Sequence, residues 1–169
     1  MSGKHIPLFS SKEHNPNNNL IQVLTENPES TSVRNRQTRS DKCKDIKFPV
    51  SKNEQIRLKI ACKNTDILYK EKHGSNEKLT QTRFNTLLLR YGMNYTNEIN
   101  WNRPYTDTKL YMHAKPTIKE YELLGGPEGI GTINGISDRK LFYLIVITAL
   151  EILESKEDYY NVLLSAQKK

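Results

Sequence analysis

The chain has 169 residues, a formal net charge of +7 at pH 7 and 36% hydrophobic residues, enough for one domain, or for two small ones with a tail. No apolar run follows Met1, and the most apolar segment, 141–153, is interrupted by Thr148 and Glu151 and is too short to span a bilayer, so neither secretion nor a membrane span is expected. Eighteen residues separate Cys43 from Cys62, with no histidine cluster or second cysteine pair nearby; no metal site and no disulfide framework is expected, and a reducing cytoplasm is the natural setting.

The positive charge is unevenly spread. Segment 1–51 has eight basic and five acidic residues and 52–99 has nine and five, whereas 100–169 has nine of each. The excess therefore lies with the first two segments, where phosphate contacts would supply non-specific affinity for a nucleic acid.

Residues 1–42 read as a flexible basic arm. Pro16 among Asn15, Asn17, Asn18 and Asn19 argues against regular structure. Arg34, Arg36 and Arg39 lead with Lys42 and Lys44 into the next element; they form either a solvated linker or an arm that follows a DNA backbone or enters a minor groove. Residues 44–50 alternate as a strand: Lys44, Ile46 and Phe48 share one side, Cys43, Asp45 and Lys47 the other. Ile46 and Phe48 belong to a core, so Cys43, Asp45 and Lys47 form the exposed face. Pro49 then lacks the N–H to continue a ladder, and Ser51 with Glu54 fits a capping box.

The helix that follows is expected to bury Ile56 and Ile60, with Leu58, Ala61 and Cys62 widening the apolar surface. The simplest reading continues it through Ile67, Leu68 and Lys72 to a stop at His73-Gly74; otherwise 64–78 holds an insertion. A second helix opens at Thr80 or Thr82, presents Phe84, Leu87, Leu88 and Tyr91 on one face, leaves Arg83 and Arg90 off it, and stops at Gly92. A lone strand has unpaired edges and pairs most cheaply with a second copy of itself.

Through the Lys47-Phe48-Pro49 step and the apolar stripe of the second helix, residues 43–92 resemble the ribbon-helix-helix DNA-binding proteins, small dimers whose strands form an antiparallel ribbon. The resemblance implies a ribbon in the major groove and a phosphate at the N-terminus of the second helix, at Thr80 or Thr82. Lys47 would donate to guanine acceptors and Asp45 accept from cytosine, with Cys43 a small neighbouring surface; the plain alternatives are a solvated lysine and an Asp45 that pairs with Lys44 or Lys47. Ile46, Phe48, Ile56, Ile60, Phe84, Leu87, Leu88 and Tyr91 would form the dimer core. The implied fold class is α+β and mostly helical: a ribbon-helix-helix-like core at 43–93, the basic arm before it, and a C-terminal α/β extension at 94–169.

In that extension, residues 94–104 read as a linker, with Trp101 at a core edge or a contact surface. Two strands are expected at 109–114, with Leu110 and Met112 on one side, and at 117–124. A turn at 125–131 follows, then an apolar helix over 139–153 capped by Ser137 or Asp138, and a last helix containing Tyr159, Tyr160, Leu163 and Leu164. This neutral, apolar half would make oligomer contacts, bind a protein partner, or pack on the first two helices.

No pattern points to catalysis. The glycines of 125–131 lack the Lys-Ser or Lys-Thr that closes a phosphate loop. His5, His14, His73 and His113 are scattered, and Glu120, Glu122 and Glu128 do not have the spacing of a calcium loop. Tyr105, Tyr159 and Tyr160 have no metal-holding histidine cluster beside them. The expected function is sequence-specific binding of double-stranded DNA, without enzyme activity or cofactor, as a repressor or a plasmid or phage accessory factor acting as a dimer or tetramer on repeated or palindromic half-sites. The alternative is a protein-binding or inhibitory module with a basic surface.

Overall fold

A computed structural model describes residues 42–74 and 76–165, all within one compact unit; Arg34, Arg36 and Arg39 and the rest of the predicted arm before Lys42 lie outside the described residues. The chain is mostly helical with a two-stranded antiparallel sheet. No helix among the described residues is long and apolar enough to cross a membrane.

The first strand, β1 (Ile46–Pro49), obeys its alternation: Ile46 and Phe48 are buried and Lys47 is exposed. Its partner corrects the expectation drawn from the sequence. β1 pairs with β2 (Tyr111–Ala114) of the same chain, with Lys47 opposite His113 and Phe48 opposite Met112. The strand expected at 109–114 is present as β2 and supplies the partner that residues 44–92 lack by themselves. Backbone bonds from Val50 N to Leu110 O (2.9 Å), Lys44 N to Pro116 O (2.9 Å) and Ile118 N to Lys42 O (3.0 Å) extend the ribbon at both ends. Pro116 has no N–H, but its carbonyl is all this pairing requires.

The capping box at Ser51 and Glu54 is present and opens α1 (Lys52–His73), which runs on to Gly74, where φ is 97°. The buried face of α1 is a second correction. Leu58, Ala61, Cys62, Thr65 and Tyr69 point inward, whereas Ile56 and Ile60 are 46% and 53% exposed. Glu54 lies on the inward side: its carboxylate accepts from Ser51 N (2.7 Å) and from the Tyr143 hydroxyl (2.8 Å) of a central helix. Leu58, Ala61 and Thr65 lie four, seven and eleven residues further on, on the same side of the helix.

Thr80, rather than Thr82, caps α2 (Gln81–Gly92), accepting from Arg83 N at 3.3 Å. Phe84, Leu87, Leu88 and Tyr91 are buried as expected, but within the chain's own core rather than between two copies. A 3-10 helix (Met93–Glu98) follows, and Trp101 packs on the core edge. Residues 117–124 are not a strand, a third correction. Thr117 and Glu120 form another capping box, which turns the chain into α3 (Ile118–Gly125); a short α4 (Ile130–Ile133) follows.

Ser137 caps α5 (Asp138–Lys156), in which every residue from Leu141 to Leu150 is buried. A helix that is apolar on all sides belongs at the centre of a fold. It packs on β1 and α2 and touches α1 and α3. It comes close to α2 at Gly92, where a Cβ would meet Ile145 Cγ2 at 2.8 Å and the Ile145 carbonyl oxygen at 2.9 Å. The last helix, α6 (Tyr159–Leu164), closes over α1 and α2. Residues 43–93 and 94–165 thus share one core, and the boundary predicted at 93/94 does not divide the structure into domains; packing on the first two helices is the alternative that holds.

Candidate nucleic-acid interface

The ribbon buries one face and presents the other. Ile46, Phe48, Met112 and Ala114 turn inward; Asp45, just before β1, and Lys47 on it, with Tyr111 and His113 on β2, turn outward. The ladder bonds at residues 42, 44 and 50 place the Lys47–His113 pair at a non-hydrogen-bonded position, where facing side chains stand closest. His113 Nδ1 contacts the Asp45 carboxylate at 3.1 and 3.3 Å, a diagonal contact across the ribbon. Within the chain, the Asp45 carboxylate is thus paired with His113 rather than with Lys44 or Lys47. Cys43 is exposed and bridges to Thr117. Lys44, half-buried, lays its ammonium 3.2 Å from the centre of the Tyr121 ring, a cation–π contact that holds it against the body of the protein.

One end of the ribbon meets the start of α2. Asn85 Nδ2 donates to the His113 carbonyl (2.9 Å) and Lys115 N donates to Thr86 Oγ1 (2.8 Å), docking β2 on the helix. Thr80, Thr82, Arg83, Thr86, Arg90 and Lys115 line a cleft of about 410 Å³ there. No acidic residue occupies the first turn of α2. Arg90 is held by Glu120 (2.6 and 3.3 Å); Arg83 and Lys115 are exposed, with Arg83 lying 4.0 Å from the Glu77 carboxylate and 5.0 Å from the centre of the Tyr69 ring. Burial pushes the Glu120 carboxyl up, but bonds from Arg90 and from the Thr117 backbone outweigh it and hold the group below its ordinary value. It therefore stays ionised and fixes Arg90.

The opposite end is more closely covered. Arg103, bonded to Glu151 at 2.6 Å, anchors the segment that returns to β2, and the Thr108 hydroxyl donates to the Val50 carbonyl at 2.6 Å. Asp107 accepts from the Tyr111 hydroxyl (2.8 Å) and lies 3.1 Å from Lys109 Nζ. The Tyr111 bond, followed by those from Lys109, keeps the Asp107 carboxyl below its usual range.

The outer face therefore combines an ammonium, an imidazole and a carboxylate on the ribbon, beside a cleft where Arg83 of α2 and Lys115, just after β2, are exposed. Hydrogen-bond donors and acceptors at fixed spacing are what reading a base edge requires. No group of three or more His, Cys, Asp or Glu side chains that could hold a metal ion occurs among the described residues. The structure brings Asp45, Lys47, Thr80 and Thr82 into one region and adds Tyr111, His113, Arg83 and Lys115, which the sequence reading did not assign to the site. The alternation that put Leu110 and Met112 on one side of the strand implied Tyr111 and His113 on the other; nothing local identified their partner strand.

Comparison with protein-family models, curated proteins and solved structures returned no match.

Proposed function

We propose that this protein binds double-stranded DNA through the outer face of the β1–β2 ribbon, as a regulator of the repressor or accessory-factor type. The observation that supports this reading most strongly is the Lys47–His113 pair at the middle of a ribbon whose other face is sealed by the core. A two-stranded antiparallel ribbon fits the major groove, which is about 12 Å wide. Lys47 donates to guanine acceptors, and Asp45, held by His113, accepts from a cytosine amine. Arg83 and Lys115, beside the start of α2, take the flanking phosphate, with the Thr80 and Thr82 region positioning it. In this reading the ribbon comes from one chain, and the larger assemblies expected from the sequence are not needed to build it.

The test is duplex binding measured against salt and against competitor DNA. Binding that weakens steeply with salt while keeping a preferred sequence is the expected result. Lys47→Ala should reduce that preference by roughly 5- to 150-fold, the range for one good base contact of about 1–3 kcal/mol, with no change in thermal stability. Equal affinity for heparin and for every duplex, unaltered by Lys47→Ala, would refute the proposal.

A further inference from the structure

We infer that the chain is a fused pair of strand–helix–helix units, and hence that its target is a short asymmetric duplex bound by one chain; the second part rests on the DNA-binding reading above.

The first unit is β1–α1–α2 and the second is β2–α3–α5. A shift of 66 residues carries the start of one onto the start of the other: Lys47 onto His113, the Ser51 cap onto the Thr117 cap, and Glu54 onto Glu120, each glutamate completing a capping box. The same shift carries Leu58 onto Leu124, both 0% exposed. Between the second helices the shift is 57 residues, from the Thr80 cap to the Ser137 cap, and it carries Gly92 onto Ala149.

The packing repeats with the sequence. Each second helix lies on the strand of the other unit, α2 on β2 and α5 on β1, and the two pack on each other. Each cap glutamate reaches a side chain on the other unit's second helix: Glu54 accepts from Tyr143 of α5 at 2.8 Å and Glu120 from Arg90 of α2 at 2.6 Å. A half-turn about the normal to the ribbon at the Lys47–His113 pair exchanges the strands and keeps their buried faces buried. On the second helices Gly92 likewise faces its own counterpart: a Cβ on Gly92 would lie 3.0 Å from the Ala149 Cβ. Two places where a residue faces its own counterpart are what a single pseudo-twofold axis requires. A self-paired dimer has the same layout; here it is closed within a single chain.

The outer face breaks the symmetry. Asp45 corresponds to Tyr111 and Lys47 to His113, and the buried Pro49 corresponds to the exposed Lys115. The two halves of the ribbon therefore offer different chemistry, and a two-fold symmetric site would be matched by only one of them.

The experiment is selection of bound duplexes from a random library by the full chain, followed by the native mass of the complex on the enriched duplex. The expected result is a non-palindromic motif holding one chain. Asp45→Ala and Tyr111→Ala, at opposite sides of the axis, should each relax preference at one end of the motif only, and at opposite ends. An inverted repeat holding two chains, with either substitution altering both half-sites, would overturn this inference and leave the DNA-binding reading standing. Absence of any enriched motif would overturn the DNA-binding reading itself, and the asymmetric target with it.

Discussion

Truncating α1 on its two competing faces separates the structure from the helical rotation first read in the sequence. Leu58 is fully enclosed beneath α1, on the side that Glu54 ties to Tyr143 of α5. Leu58→Ala removes three carbons from a sealed site that cannot fully collapse, and such changes cost about 2–5 kcal/mol. A loss of about 3 kcal/mol corresponds to a fall in Tm of roughly 10 °C for a domain of this size. Ile60 is 53% exposed, and substitutions at such positions usually stay within about 0.5 kcal/mol. The assay is paired thermal and urea unfolding of the two variants. Ile60→Ala as costly as Leu58→Ala would refute the placement of α1 and restore the face containing Ile56 and Ile60.

Gly92→Ala should lower stability although alanine favours helix, because its Cβ would lie 2.9 Å from the Ile145 carbonyl oxygen and α2 must move off α5, an overpacking cost of about 1–3 kcal/mol; a neutral or higher Tm would contradict that contact. Glu120 is depressed in the folded protein, so its stabilising contribution is present above the ordinary glutamate value of about 4.3 and is lost as pH falls through the lower folded value. Glu120→Gln should therefore cost stability near neutrality and flatten the acid limb of the stability–pH curve, and an unchanged limb would count against the Arg90 pair. Burial pushes the Cys62 thiol up to about 11, while Cys43 is exposed. Iodoacetamide at neutral pH should thus modify Cys43 in the native protein and Cys62 only on unfolding, as mass spectrometry would resolve; rapid double labelling would contradict the buried position.

What the sequence could reveal followed the range of the forces involved. The β1 alternation, the Ser51 box, the Thr80 cap, the stripe from Phe84 to Tyr91 and the long apolar helix are set by neighbours within a few residues, and all appear in the structure. The rotation of α1 was misread because apolar residues occupy two faces; the one that turns inward meets partners distant in sequence, such as Tyr143, 89 residues away from Glu54. Residues 117–124 alternate enough to mimic a strand, but the Thr117–Glu120 box wins locally because it satisfies two backbone donors at the helix start. The pairing of β1 with β2 was the largest omission. A strand's edge says that it needs a partner and nothing about whether that partner is in the same chain. For the same reason, the site residues on β1 were legible as an exposed face, while His113 and Lys115 entered only with the register.

Both the single-chain ribbon and the asymmetric target depend on β1 and β2 of one molecule being paired, and disulfide trapping reads that directly. In a Cys43→Ser background, Lys47→Cys with His113→Cys places two thiols at a non-hydrogen-bonded pair, where Cα separations of about 4.5 Å fall within the range a disulfide spans. Oxidation should give a species of monomer mass with accelerated mobility on non-reducing gels, and Lys47→Cys alone should give no covalent dimer. Efficient Lys47→Cys cross-linking between two chains, with no internal bridge in the double variant, would show that β1 pairs across molecules and would contradict the account.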